Sequence, residues 1–386
     1  MTELASKRSS PIADQTVDRS KALIMTSSNS LKLGVFGINL SGGTAGVTFA
    51  EGPPQVANWD EVLSTAIAAE QAGLEALVPI GRWKGFGGPS GFWDRSLESF
   101  TWAAGLAQAT ERIQMFTTCH VGVIHPVMAA KMGATIDHIS GGRWGLNIVA
   151  GWLGPEFEMF GYDLPPHGKR YEMAIEWLDI VKRLWTETEP FDYDGTFFHL
   201  KQAISEPKCV QAPYPLVMNA GHSPAGVDFA ASQCDMIYIS TLSNTIADDV
   251  SRIRETAAKS GREVTVWGTA HINCRDTEEE ARSYRRYYAE EQGDVETAKR
   301  YAIQMLAADS SSHDKFRRDS DLMKLIMATG GNRGIMGSPE QVVSELAEIS
   351  AAGVDGIAMI FTDYKDGIER YTRQMLPLMR EAGLRQ

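Results

Sequence analysis

Two rhythms of apolar and polar positions alternate along this chain. Short, largely apolar runs of buried parallel-strand type are each followed by a longer segment whose apolar positions recur three and four residues apart. The pattern predicts strands over Leu31 to Ile38, Glu75 to Ile80, Ile113 to Val121, Arg143 to Val149, Leu216 to Asn219, Asp235 to Ile239, Val264 to Cys274 and Gly356 to Phe361. It predicts helices over Trp59 to Ala72, Arg95 to Ala109, Pro126 to Ile139, His167 to Trp185, Thr245 to Lys259 and Gly367 to Ala382, with two more opening at Ser223-Pro224 and Ser338-Pro339. Asn58 and Asp60 supply caps and Gly73 a stop for the first helix, and Ser338 with Pro339 forms a cap and first-turn pair. Eight strands, each followed by a helix, are the signature of a (β/α)₈ TIM barrel, with a doubly wound open sheet as the alternative.

Three stretches stand outside this alternation. Phe191 to Leu200 reads as a hairpin about Asp194-Gly195, within an insertion near 187–215. Thr277 to Asp319 is strongly charged and helical in pattern, and Ser320 to Arg333 ends in Gly330-Gly331-Asn332; together they make an insertion near 276–335. Residues 1–30, rich in Ser, Thr, Lys and Asp around one apolar patch from Ala22 to Met25, read as a flexible or partner-draping arm preceding a barrel domain over 31–386.

The chain is organised around Ala134 to Trp152: a helix end, the breaker Ser140-Gly141-Gly142, a buried strand, and Ala150-Gly151-Trp152. One polar residue, Asn147, sits amid Leu146, Ile148 and Val149. A buried Asn either finds partners or costs roughly 1–3 kcal/mol. It reads equally well as a core cap for a neighbouring strand or as a ligand-facing group. The active site of such a barrel lies at the carboxyl ends of its strands, which collects Arg82, Thr118, Asn147, Trp152 and Ser223 in one place.

Composition narrows the chemistry. The 386 residues are 43% hydrophobic and carry a net charge of −12 with no dense Lys/Arg block, which argues against nucleic acid. The four cysteines are far apart and form no CxxC, a usage suited to a reducing cytoplasm and to neither a disulfide framework nor a metal site. No apolar run is long enough for a bilayer. The loop from Asn39 to Gly52 has no GxGxxG, no GxSxG is present, and none of the eight histidines has metal-ligand spacing. Ser223, after Gly221 and before Pro224, opens a helix whose amino-terminal end suits an anion, most simply phosphate, although a plain helix cap explains it as well. Arg170 and Tyr171 follow a Pro-Pro-His-Gly loop and could join the same anion; His120 reads as lining a pocket. A barrel with a phosphate turn and aromatics but no hydrolytic constellation points to a cofactor that does the chemistry.

The motifs together resemble the luciferase-like flavin-dependent monooxygenases, over Leu31 to Leu384. They are Lys84-Gly85-Phe86-Gly87-Gly88, Phe92-Trp93-Asp94, Leu97-Glu98-Ser99-Phe100, Ala134-Thr135-Ile136-Asp137 through Ser140-Gly141-Gly142-Arg143, Asn147 with Gly151-Trp152, Arg170-Tyr171, and Ala220-Gly221 with Ser223. The likeness is greatest to the pyrimidine and dimethylsulfone monooxygenase branch. It implies a two-component enzyme: a separate NAD(P)H:flavin reductase delivers reduced FMN, which reacts with O₂ on this protein and oxygenates a small organic substrate or cleaves its C–N, C–S or C–halogen bond through a flavin peroxide. It also implies a homodimer or homotetramer, for which Trp93, Phe100 and Trp102 between Phe92 and Ala109 would offer an exposed aromatic contact face.

Carried over by position, Thr118 and Asn147 are the catalytic pair at the oxygen-binding side of the flavin ring, where the Thr118 hydroxyl would donate to O₂. Gly81 and Arg82 lie by the ring or its ribityl edge. Glu156, Arg170, Tyr171 and Ser223, with Ala220 and Gly221, hold the ribityl-phosphate end, and His120 and Trp152 line the substrate pocket. Three segments depart from the pyrimidine branch. Arg82 replaces a Lys, Cys119-His120-Val121-Gly122 replaces a small-residue run, and the loop from Ser41 to Pro54 differs. All lie on the substrate side, so uracil does not carry over as substrate. A deazaflavin-dependent oxidoreductase and a non-catalytic flavin-binding protein are the alternatives on the same fold.

Overall fold

The computed structural model describes residues 16–49, 57–221, 223–308 and 320–386. Eight parallel strands form a closed ring: β1 (Lys32–Phe36), β2 (Ala76–Val78), β3 (Gln114–His120), β4 (Trp144–Val149), β5 (Leu216–Asn219), β6 (Met236–Ile239), β7 (Thr265–Cys274) and β8 (Gly356–Ile360). Each pairs with the next, and β8 pairs with β1. Around them lie α1 (Trp59–Gln71), α2 (Ser99–Ala109), α3 (Pro126–Ser140), α4 (His167–Thr186), α5 (Pro224–Gln233), α6 (Ile246–Lys259), α7 (Pro339–Ala351) and α8 (Tyr364–Arg370). The fold is the (β/α)₈ barrel, and the open sheet is excluded by the β6–β7 pairing that closes the ring.

Strand alternation sorts side chains between two cores. On β3, Met115 and Cys119 pack outward against the helices, while Phe116 packs inward with Val78, Met218, Tyr238, Trp267 and Ala358. That places Thr118 and His120 on the inner side of β3, and Asn147 in the same setting on β4, above the packed interior.

The organising stretch turns as its glycines dictate. Gly141 caps α3 in the left-handed region at φ 65°, and Gly142 follows at φ 85°, a conformation other residues enter only under strain. Arg143 then fastens the turn, donating to the carbonyls of Ala107, Thr110, Ile113 and Ser140. Asp137 accepts from the backbone and side-chain amides of Gln211. These motif residues hold the strand that carries Asn147 in place.

Several expectations are corrected. Helix α2 begins at Ser99 and not Arg95, because the Glu98 carboxylate accepts from Phe100 N and Thr101 N, both at 2.8 Å, and sets the start. The aromatics Trp93, Phe100 and Trp102, which composition offers as an exposed contact face, are buried inside the chain. A strand unmarked by the sequence pattern, Arg333–Gly337, pairs parallel with Ala270–Cys274 of β7, beyond the stretch of β7 that pairs with β6. Gly154–Met159 is an unforeseen short helix.

The described part of the amino-terminal arm is folded. Val17–Asp18 pairs parallel with Gln211–Ala212, and Ile24 is fully buried with Ala76, Leu216, Met236 and Trp267. Arg19 grips Asp235 at 3.0 and 3.1 Å, and Ser27 donates to Glu75 at 2.8 Å. These partners precede or begin β2, β5 and β6, so residues 16–30 form a floor at the amino-terminal end of the barrel. The apolar patch from Ala22 to Met25 drives the arrangement, since exposing Ile24 would cost about 1.5–3 kcal/mol. The rest of the arm, 1–15, lies outside the described residues, as do 50–54 of the departing loop and 309–319 of the charged insertion. No helix among the described residues is long and apolar enough to cross a membrane.

Candidate active site

Thr118 and Asn147 are register partners across β3 and β4. The Thr118 hydroxyl donates to the Pro79 carbonyl at 2.6 Å, and Asn147 Nδ2 donates to Thr118 Oγ1 at 2.9 Å. A carbonyl only accepts, so the hydroxyl proton points at Pro79, Thr118 accepts from Asn147, and the amide orientation is fixed. Asn147 Oδ1 is left buried and without a partner among the described residues. In this structure the Thr118 proton is directed at Pro79, and the atom left without a partner among the described residues is the acceptor on Asn147.

Beyond the ends of β2 and β3 lies a buried charge cluster. Arg82 pairs with Glu156 at 3.1 Å, with side chains 2% and 1% exposed. The other Glu156 oxygen accepts from Trp83 N at 2.6 Å and Lys84 N at 3.2 Å. The Arg82 guanidinium is flanked by the rings of Trp93 and Trp152, at 5.0 and 5.1 Å from their centroids. Burial lowers the Arg82 pKa, opposed by the Glu156 carboxylate. His120 Nε2 stands 3.9 Å from Glu156. Burial pulls this imidazole down to about 4, with Glu156 opposing and Arg82 assisting, so it is neutral at physiological pH. Gly81 packs so tightly against the Thr118 carbonyl and the His120 ring that a Cβ there would come within 2.8 and 3.1 Å of them. Glu156, carried over to the phosphate end, instead stands with Arg82 and His120. No bond joins it to Arg170, Tyr171 or Ser223 among the described residues.

The third part is the turn after β5. Ser223 caps α5, accepting from Gly226 N at 3.2 Å. It faces the Tyr171 hydroxyl, whose pKa burial raises and Ser223 lowers in part. Gly221 N donates to Asn219 Oδ1 at 2.8 Å. A Cβ on Gly221 would lie 2.6 Å from the Tyr171 hydroxyl, which explains the glycine. Arg170 Nη1 donates to the Gly151 carbonyl, while its buried Nε has no partner among the described residues. Ala220 is half-buried beside Gly221 against the barrel interior. His222 lies outside the described residues.

A roof covers these parts. Phe86, Phe92, Trp93, Trp152 and Tyr301 form one aromatic cluster with Leu40, Val47 and Ile326. Asp294 accepts from Ser90 N at 2.8 Å, and Asn332 donates to the Thr44 carbonyl at 3.3 Å, so the 276–335 insertion is tied to the loops after β1 and β2. A cavity of about 410 Å³ opens beside the cluster, with Gly81, Arg82, Trp83, Ser99 and Thr118 among its walls.

The sequence profile of the luciferase-like monooxygenases matches residues 36–356. The chain belongs to the luciferase-like monooxygenase family. It is 32% identical over 367 residues to the pyrimidine monooxygenase RutA of Methylorubrum extorquens (strain PA1), covering 91% of this chain and 95% of that one. Its fold is also that of DmoA from Hyphomicrobium sulfonivorans, with TM-score 0.81 and 18% identity over 93% of this chain and 90% of that one. A riboflavin lyase structure with modified FMN and riboflavin is similar at TM-score 0.79 and 21% identity, over 92% of each chain. This luciferase-like monooxygenase therefore combines an enzyme family's barrel with three polar clusters at the carboxyl ends of its strands.

Sequence reasoning missed four site groups in this monooxygenase. Trp93 and Tyr301 were not associated with Arg82, nor Asn219 with the Ser223 turn. The Pro79 carbonyl carries no side-chain signal. Trp93 did carry one, because it lies inside the Phe92-Trp93-Asp94 motif beside a Gly-rich loop.

Proposed function

We propose that this monooxygenase is the oxygenating component of a two-component system: it takes reduced FMN from a separate NAD(P)H:flavin reductase and uses O₂ to oxygenate or cleave a small organic substrate. The observation that carries the reading is the Asn147 amide, oriented by Thr118 and Pro79, with a buried acceptor left unmet. A reduced flavin ring presents N–H donors suited to such an acceptor, and the residues present fit the group. Asn147 Oδ1 and Arg170 Nε are buried polar atoms awaiting partners, and Gly81 and Gly221 stand where a Cβ has no room.

In this reading Asn147 and Thr118 hold the reactive side of the ring, and Gly81 lies against its edge. Arg170, Tyr171, Gly221 and Ser223 hold the phosphate, at the amino-terminal end of α5 where an anion is favoured. When bound, the reduced flavin supplies the two electrons with which O₂ is activated. Arg82, neutralised by Glu156 and flanked by Trp93 and Trp152, orients the substrate, and His120 and Trp152 line its pocket. The aromatic roof excludes water from the reacting groups. The substrate reading is an electrophilic carbon bearing nitrogen, sulfur or halogen. Cytoplasmic location and self-association as a homodimer or homotetramer belong to the same reading and rest on the resemblance.

The test couples the protein to a generic flavin reductase with FMN, NADH and O₂, and screens nitrogen-, sulfur- and halogen-bearing small molecules for oxygenated products. Tighter binding of reduced than of oxidised FMN, with substrate-dependent product, supports the reading. Turnover with a deazaflavin and none with FMN would replace it.

A further inference from the structure

We propose that Asn219 is a positioning residue that fixes the Ser223 turn relative to the strand carrying Asn147, and so sets the spacing between the two ends of the flavin site. The proposal rests on the reading of that turn as the phosphate end. Asn219 is the last residue of β5 and the register partner of Ile148 on β4, one residue past Asn147. Its side chain is 2% exposed and spans two elements. Nδ2 donates to the Ile148 carbonyl at 2.6 Å, and Oδ1 accepts from Gly221 N at 2.8 Å.

These two bonds do different things. The first ties the side chain to β4 beyond the main-chain ladder. The second folds the chain back on itself immediately after the strand, so that Gly221 lies against Asn219 Oδ1, the Tyr171 hydroxyl and the Gly226 backbone. A Cβ on Gly221 would sit 2.6 Å from the hydroxyl, 2.9 Å from Oδ1 and 2.9 Å from Gly226 Cα. Gly221 is thus referred to Ile148 and through it to Asn147, and on the other side of the turn Ser223 caps Gly226. A residue that can donate with one arm and accept with the other meets both demands at this distance; Asp lacks the donor and Leu lacks both. Rigid strand ends position polar groups better than free loops, and Asn219 extends the strand's rigidity into the turn.

The consequence is specific to the phosphate. Reduced FMN and reduced riboflavin present the same ring to Asn147 and differ only at the far end. The ratio of their dissociation constants, titrated anaerobically by quenching of the protein's tryptophan fluorescence, reads the turn alone. Wild type prefers FMN, and Asn219→Leu, which keeps the branched shape but loses both bonds, reduces that preference about tenfold or more. Asn219→Ser, too short to span both partners but polar enough for the site, does the same and stands in if the leucine variant fails to fold. Leu216→Ala, an apolar truncation on the same strand, lowers the melting temperature and leaves the ratio unchanged. Asn219 variants that fold with the wild-type ratio overturn the positioning role while leaving the phosphate reading intact. A wild type that binds riboflavin and FMN alike overturns the phosphate reading, and this proposal with it.

Discussion

Asn147 Nδ2 donates to Thr118 Oγ1 at 2.9 Å across the β3–β4 ladder, and the Thr118 proton is passed on to Pro79 at 2.6 Å. The relay has one direction, because the proline carbonyl can only accept. Thr118→Val therefore frees the Asn147 amide to turn, and Asn147→Ala removes the acceptor. Both variants are expected to fold and bind reduced FMN, with substrate oxygenation reduced ~10²–10³-fold, the size of effect seen when one preorganised polar group is lost. Thr118→Ser, which keeps the relay, retains most of the activity. Turnover, reduced-FMN affinity and melting temperature are measured on the same preparations; near-wild-type oxygenation in both Thr118→Val and Asn147→Ala removes the pair from the chemistry.

Arg170 uses Nη1 on the Gly151 carbonyl and keeps Nε unspent. Arg170→Ala should lower FMN affinity about ten- to a hundredfold, through loss of a charge-assisted bond of roughly 1.5–3 kcal/mol. Riboflavin affinity should change far less. Unchanged FMN binding would place the anion elsewhere.

The Arg82–Glu156 pair predicts a stability effect. Glu156→Gln leaves the guanidinium buried beside two tryptophans without its counter-charge, a change that costs about 3–5 kcal/mol. The double variant Arg82→Met with Glu156→Gln, which removes both charges and keeps an acceptor for Trp83 N and Lys84 N, should recover most of that loss, although not substrate turnover. Urea unfolding of the three proteins measures both; a single variant as stable as wild type would show that the pair is not closed to water.

Two buried imidazoles set an acid limit. His120 is pulled down to about 4, and His271, which bonds Thr362 at 3.0 Å, to about 3, each chiefly by burial, from an ordinary 6.5. Between these values and 6.5 the unfolded chain binds more protons than the folded one, so their stabilisation is complete above 6.5 and is lost as pH falls. Asp137 acts oppositely. Burial raises it to about 6 from 3.8, so its protonation favours the fold as pH drops through that interval. Two histidines outweigh one carboxyl, and melting temperature should decline from pH 6.5 toward pH 4. In His120→Asn with His271→Asn the decline should flatten or reverse; an unchanged profile would assign acid lability to other groups.

All eight barrel strands were legible because a strand buried on both faces writes itself as an apolar run, and a single Asn within such a run stands out. Asn147 left two readings open, and both contain part of the answer: it is satisfied across the ladder and still presents an unmet acceptor. The Arg82–Glu156 pair was not legible because the two residues are remote in sequence and Glu156 sits on a six-residue helix too short to show a period. Trp93 looked like an exposed contact residue because composition does not reveal direction; at φ 62° the backbone turns its ring into the roof. The arm looked flexible because a four-residue apolar patch is too short for a core element in isolation, and only a barrel with an open floor gives it a place.

The part of the roof that carries Tyr301 and Ile326 leaves the barrel and returns to it on the same strand. Chain departing after Cys274 comes back as Arg333–Gly337, aligned residue for residue with Ala270–Cys274 of β7. An excursion with both ends anchored side by side can change length or composition without shifting the register of the ring, since extending a surface loop costs only fractions of a kcal/mol per doubling beyond its closure. That excursion is thus a cassette: it can be exchanged as a unit while β3 and β4, with Thr118 and Asn147 paired across them, keep their places.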